Sequence, residues 1–334
     1  MKAIGYQTPT PQLTDTSLLD IEVDKPSATG HDVLVKIDAI SVNPVDTKVR
    51  MGAEPQGSDY KILGWDAVGT VEAIGDKVTL FRPGDKVFYA GDLTRPGTNS
   101  EFHLVDERIA GLAPRSINNA EAAALPLTAI TAWELLFDRL NYSDDSQETV
   151  LVVGAAGGVG SILVQLAKQL TQLNIIATAS RDESKEWLLE LGADQVINHR
   201  NPLSEELNAI GIDQVDTVIS LTNTDDHLDE IITSLKPQGR LALIDDPKEL
   251  DVRKLKLKSI SLHWEFMYTR SMFQTDDQIK QHQLLNQVAS LIDQGKIKTT
   301  LAKHLGSINA ANVMEAHRIL ESGTSRGKIV LEGF

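Results

Sequence analysis

The sequence predicts an α/β fold: a doubly wound, parallel six-stranded sheet carried within a mostly antiparallel β domain. Three observations predict it. From Val150 onward the apolar runs LVVG, NIIATAS, DQVINH, VDTVISL, GRLALID and SISLHWEF alternate with SILVQLAKQL, ESKEWLLELG and DHLDEIITSLKPQG. Six strands with crossover helices imply parallel pairing. The stretch before about Ala120 reads instead as strands and turns, with DVLVKIDAISV, AVGTVEAI and a Pro-Gly-Asp turn in FRPGDKVFYAG. Finally, the first parallel strand runs into the glycine-rich turn GAAGGVG, after which Val159, Ile162, Leu163, Leu166 and Leu170 fall at helical spacing.

The remaining elements follow in order. AEAAALPLTAITAWELLFDRL reads as two helical segments meeting at Pro126. ESKEWLLELG has Asp182 and Glu183 in its first turn and Gly192 past its end, as helix termini prefer. DHLDEIITSL puts Leu228, Ile231, Ile232 and Leu235 on one face. Thr275 to Phe334 reads as two helices and two short strands returning to the first domain, because the parallel sheet is complete at six.

Composition narrows the function. The 334 residues carry 32 Lys plus Arg against 47 Asp plus Glu, a formal charge of −15. An acidic surface disfavours nucleic acid and anionic membrane as partners. There is no cysteine, so neither disulfides nor thiolate chemistry is expected. The polar, proline-containing opening does not read as a secretory signal, and no apolar run is expected to approach membrane-spanning length. The expected location is cytoplasmic.

The turn Gly154-Ala155-Ala156-Gly157-Gly158-Val159 is a variant of the dinucleotide fingerprint. Small residues let the backbone approach a pyrophosphate, and the following helix offers unpaired N–H groups. NAD sites place a carboxylate at the end of the second strand. Here that strand ends in Ser180-Arg181, and a guanidinium pairs with a 2′-phosphate that a carboxylate would repel. The expected cofactor is NADP(H).

With these residues in hand, the chain resembles the medium-chain dehydrogenase/reductase superfamily, within it the quinone oxidoreductase branch and the zinc-type alcohol dehydrogenase-like group. SVNPVDTKVR, KILGWDAVG, FYAGDLTRPGTNSEFHLVDER, AAALPLTAITAWELLFDRL, ISLHWEFMYTR and SGTSRGKIVLEGF carry the likeness. The resemblance implies a GroES-like catalytic domain from residues 1–123 and 271–334, around an NADP-binding Rossmann domain at 124–270. Zinc members of the superfamily place a cysteine where this chain has Asn43, and a His-Glu pair at Trp65-Asp66. The eight histidines show no close pair at ligand spacing, and His263 with Glu265 is the nearest approach. No metal site is expected.

Without a Lewis acid, hydride transfer from NADPH to a quinone or α,β-unsaturated carbonyl needs less than alcohol oxidation does. Asn43, at the matching asparagine of the quinone enzymes, is the candidate hydrogen bond to the acceptor carbonyl; capping its own turn before Pro44 is the competing reading. Tyr60 is the second catalytic candidate. By resemblance Thr131 sits by the nicotinamide ribose, His199 near the adenosine phosphate, and Lys328 reaches towards the cofactor. Leu221, Thr222 and Asp245 lie at strand C-terminal ends, where open α/β sheets bind ligands. Trp65 and Phe266 are cleft-lining candidates. The alternatives are a zinc-dependent alcohol dehydrogenase and a non-catalytic NADPH-binding protein, as crystallin relatives of the branch are. A homodimer is expected, joined at or beside the edge strand from Ser259 to Phe266, whose Ile260, Leu262, Trp264 and Phe266 share a face.

Overall fold

The computed structural model describes residues 1–57 and 59–334. It divides into two compact units, Met1–Ile130 with Met267–Phe334, and Thr131–Phe266.

The first unit carries β1 (Lys2–Tyr6), β2 (Leu19–Glu22), β3 (Asp32–Val42), α1 (Pro44–Gly52), β4 (Lys61–Ile62), β5 (Ala67–Ile74), β6 (Lys86–Tyr89), β7 (Phe102–Asp106), β8 (Ala110–Leu112) and α2 (Asn119–Ala123). Helix α3 (Pro126–Trp133) follows and runs on into a π-helical turn at Glu134–Arg139. The second unit alternates β9 (Thr149–Val153), α4 (Gly158–Leu170), β10 (Asn174–Thr178), α5 (Asp182–Glu190), β11 (Gln195–Ile197), α6 (Leu203–Ala209), β12 (Val215–Ser220), α7 (Thr224–Ser234), β13 (Leu235–Leu243) and β14 (Ser261–Trp264). The chain then returns to the first unit with α8 (Thr269–Phe273), α9 (Ile279–Asp293), β15 (Leu301–His304), α10 (Ala310–Glu321) and β16 (Lys328–Glu332).

In the second unit all strand pairs are parallel, in the order β11-β10-β9-β12-β13-β14. The six apolar runs of the sequence are these strands. A strand buried on both faces needs apolar residues at every position, so Val150, Leu151, Val152 and Val153 are all at most 1% exposed. Leu151, Ile176, Val218, Ile231 and Leu241 belong to one core cluster with Leu203 and Leu207 of α6.

The first unit holds a seven-stranded sheet in which β16 pairs antiparallel with β3, so the late strands do rejoin the early domain. A three-stranded sheet of β2, β1 and β4 lies beside it in sequence. Helix α1 is absent from the sequence reading, because its buried side holds Asp46, Thr47 and Arg50 rather than an apolar stripe. Short α6 is missing for want of length. One expectation needs correcting: the helical stretch Asn119–Arg139, 21 residues, is apolar enough to cross a membrane. Of its most apolar 18 residues 83% are buried within the protein, so they serve the core.

Candidate active site

The glycine-rich turn sits at the C-terminal end of β9, where a strand must reverse into a helix with almost no room. Gly154 has φ +77°, a conformation that side chains rarely adopt, and a Cβ there would lie 2.7 Å from Thr222 Cγ2. Its N–H donates to Thr178 Oγ1 at 3.1 Å. Gly160 is tighter still: a Cβ would stand 2.2 Å from the carbonyl oxygen of Ala155. The turn therefore packs against the helix that it opens. Gly157 caps α4 in extended backbone, and Gly158 and Val159 form its first turn. With no side chain at the cap, the first N–H groups of α4 face whatever lies above the turn.

Neighbouring strand ends complete this rim. Ala179 N–H donates to Ile197 O at 2.9 Å, so the chains leaving β10 and β11 run side by side. Ser180 is half-buried, and exposed Arg181 opens α5, its carbonyl accepting from Ser184 and Lys185. Leu221 N–H donates to Val153 O at 3.1 Å. The Asp245 carboxylate receives Thr224 N–H at 2.9 Å and Thr224 Oγ1–H at 2.6 Å, fixing the start of α7. Thr131, 5% exposed, begins the second unit within α3. The structure thus groups Gly154 with Leu221 and Thr222, and ties Asp245 to α7. His199 lies two residues beyond β11, its ring edge-on to His227 of α7 with centroids 6.3 Å apart. His227 escaped the sequence reading, since 28 residues separate the two histidines and only the fold joins them.

In the first unit Asn43 is 1% exposed and precedes Pro44 at the N-terminus of α1, the competing reading of its role. Its backbone N–H donates to Asp46 Oδ2 at 2.7 Å, and Gly64 N–H donates to Asp46 Oδ1 at 2.9 Å. Its side chain is also committed. Nδ2 donates to Asp66 Oδ2 at 2.9 Å, while Oδ1 accepts from Lys328 Nζ. Lys328 further donates to Asp66 Oδ2 at 3.0 Å and Val42 O at 3.3 Å, and Asp66 Oδ1 takes Leu127 N–H at 2.8 Å. The ammonium's three donors thus meet three acceptors within the first unit. Burial pushes Asp46 up to about 7 and also raises Asp66, whose nearest opposing influence is Lys328. Tyr268, fully buried, is pushed well above the ordinary phenol value by burial and then by Asp46, Asp66 and Asp92. Asp46 and Tyr268 escaped the sequence reading; the pattern Asn-Pro-x-Asp is the local signal that points to Asp46 as a capping partner, and nothing local points to Tyr268.

Tyr60 stands elsewhere, on a cavity of about 580 Å³ with Met1, Lys61, Arg95, Phe102 and His103, none of which belongs to the Asn43 cluster. Trp65 is core, 1% exposed, its Nε1–H donating to Asp92 O at 3.1 Å, while Phe266 is 49% exposed. Among the described residues no three His, Asp or Glu side chains are grouped as metal ligands. Glu265 is instead held 2.8 Å from Arg139 Nε.

Two family profiles match the chain: an alcohol dehydrogenase GroES-like domain over residues 29–114 and a zinc-binding dehydrogenase over 191–331. A zinc-type alcohol dehydrogenase-like protein of Staphylococcus aureus is 41% identical over 337 residues, covering 99% of each chain. The chain belongs to the medium-chain dehydrogenase/reductase superfamily. Within this superfamily it matches a crystal structure from Rhizobium etli CFN 42, assigned by name to the zinc-dependent alcohol dehydrogenases. That chain is 55% identical with a TM-score of 0.97, over 100% of this chain and 98% of the other. The Escherichia coli quinone oxidoreductase complexed with NADPH is 28% identical with a TM-score of 0.85, over 99% and 100%. These similar proteins carry both zinc and quinone names, and the residues of the site must separate them.

Proposed function

We propose that this protein is a zinc-independent reductase that uses NADPH to reduce a quinone or an α,β-unsaturated carbonyl. The enclosed ammonium of Lys328 carries the reading. Asn43 and Asp66 stand at positions where, by family resemblance, zinc enzymes hold ligands, and here both bond the same lysine. A dication would have to displace that ammonium and would find one carboxylate and one neutral amide, too few for a tetrahedral site.

The rim of the second unit fits a dinucleotide. The cradle at Gly154 and Gly160 has no space for a Cβ, and the open N-terminus of α4 suits a pyrophosphate. Arg181 supports the phosphorylated cofactor, as does the likeness to an enzyme complexed with NADPH. Bound there, NADPH supplies the hydride. The chain's own residues then orient and exclude water: Asp245 fixes the start of α7 beside Thr222. Asn43, with its amide bonded to Asp66, acts in this reading by holding the α1 turn in place, and no step is assigned to Tyr60.

The test is a panel of quinones and enones, followed by loss of NADPH absorbance with and without a chelator, on protein purified without a metal-affinity tag. Turnover that survives chelation, with well below one zinc per chain, is expected. Stoichiometric zinc lost together with activity would refute the mechanism.

A further inference from the structure

The inserted unit begins at Thr131 and ends at Phe266, and a buried glutamate stands just inside each end. Glu134 follows the first chain crossing by three residues, and Glu265 precedes the second by one. Both side chains are 0% exposed, and both meet the Arg139 guanidinium. Arg139 Nε–H donates to Glu265 Oε2 at 2.8 Å, while Arg139 Nη2 stands 3.7 Å from Glu134 Oε2. The π-helical turn explains how one arginine serves both. Residues five apart repeat in such a turn, as Leu140 N–H donating to Leu135 O at 3.0 Å shows, so Glu134 and Arg139 share a face. A regular α-helix would set them about 140° apart. Glu265 is fixed from its own side, its N–H donating to Leu243 O at 3.1 Å where β14 leaves β13.

The charges do not balance. Two enclosed carboxyl groups face one guanidinium, itself 33% exposed, and two carboxylates sharing a site do not both ionise readily. Glu265 also hydrogen-bonds Glu134, and two carboxyl groups bond each other only when one holds a proton. No neighbouring cation takes the proton's place. Asp138 of the same turn is another acid. His263 of β14 is held below the ordinary imidazole range by burial and then by Arg240, so it stays neutral. Arg240 of β13 is engaged with Thr217, Leu140 O and Glu148. Burial, then Glu134, push the Glu265 carboxyl up to about 9 against the pull of Arg139.

We propose that Glu134 and Glu265 share a single buried proton, which clasps the incoming and outgoing ends of the inserted unit to each other beneath Arg139. The clasp is closed at neutral pH and opens in alkali. Loss of the proton leaves two anions side by side in an enclosed site, and their repulsion parts the π-helical turn from the end of β14. The sign follows from the raised carboxyl. The folded chain keeps a proton that the unfolded chain releases above the ordinary glutamate value of 4.5. The clasp's contribution is therefore whole at low pH and is lost as pH rises towards about 9.

The experiment compares the full-length wild type with Glu134→Gln and Glu265→Gln between pH 7.0 and 10.5. Either amide supplies the donor permanently and leaves one carboxylate for Arg139, so both variants should stay clasped. In urea unfolding the wild-type folding constant should fall by about tenfold more per pH unit than that of either variant, until about pH 9. Above that pH the Leu140 and Glu265 amides should exchange hydrogen faster in the wild type than in the variants at the same pH. Infrared spectra of folded wild type carrying 13C-labelled glutamate give a reading that needs no variant. The carbonyl band of a protonated glutamate should be present at pH 7.0 and fade as pH passes about 9, while aspartates fall outside the label. Parallel stability profiles in wild type and variants overturn the proposal. So does the absence of a protonated-glutamate band at pH 7.0, whether or not the variants fold.

Discussion

At the scale of single residues the first unit stores its electrostatics in one place. Asp46 and Asp66 are each 1% exposed or less, and Lys328 is the ammonium set between Asp66 and Asn43. Breaking a buried pair costs more than the pair contributes, because a charge is left stranded. Lys328→Met should therefore lower stability by about 3–5 kcal/mol, read as the shift in a urea midpoint at constant slope. A loss below about 1 kcal/mol would show that the cluster is solvated. Asp46 gives a pH signature. Its folded value of about 7 lies above the ordinary 3.8, so between these limits the folded state holds a proton that the unfolded chain releases. Stability from this group is thus lost as pH rises from about 4 to about 7, by up to about 4 kcal/mol. Asp46→Asn pays a fixed cost for its lost acceptor but no such slope. Thermal melts should show the variant's deficit shrinking as pH rises, and a deficit constant across that window would exclude the titration. Little of this cluster was legible, since Asp66 and Lys328 are 262 residues apart. Asn43 and Lys328 were named separately, by resemblance, with different partners in view.

At the scale of elements the parallel sheet was legible almost strand by strand, because full burial forces apolar residues at successive positions and leaves clear runs. The turn was legible for the opposite reason, the absence of side chains. It yields a sharp expectation. Gly160→Ala drives a methyl group into the Ala155 carbonyl at 2.2 Å, between backbone atoms that cannot rotate away. The variant should lose about 1–3 kcal/mol of stability in denaturant unfolding and bind NADPH more weakly. Wild-type values for both would mean that the turn and α4 are looser than the structure describes. Helix α1 was hidden because its buried residues are polar: Arg50, 0% exposed, bonds His317, Glu321 and Thr10 rather than resting on an apolar face. Periodicity records where hydrophobic side chains fall, and this helix is anchored by other means.

At the scale of the whole molecule the open question is assembly. Strand β14 ends the six-stranded sheet, bonded only to β13 among the described strands, with Trp264 and Phe266 about half exposed. We propose that two copies pair across this edge, a closed two-fold arrangement that removes the unpaired backbone groups and covers both aromatics. Trp264→Glu places like charges against each other across the two-fold axis. Sedimentation equilibrium should find a dimer of the 36.5 kDa chain in the wild type and a monomer in the variant. A monomeric wild type at micromolar concentration would dispose of the pairing. The split unit carries a separate consequence, for the order of synthesis. All six parallel strands emerge from the ribosome as one continuous stretch and can assemble as they appear. The earlier-made β3 and β5 cannot close their domain then, because β16 and its lysine are translated only after the whole inserted unit. During that interval Asp66 has no ammonium to meet and β3 keeps an unpaired edge. The nascent chain is thus most in need of a chaperone's shelter in its oldest part, not its newest.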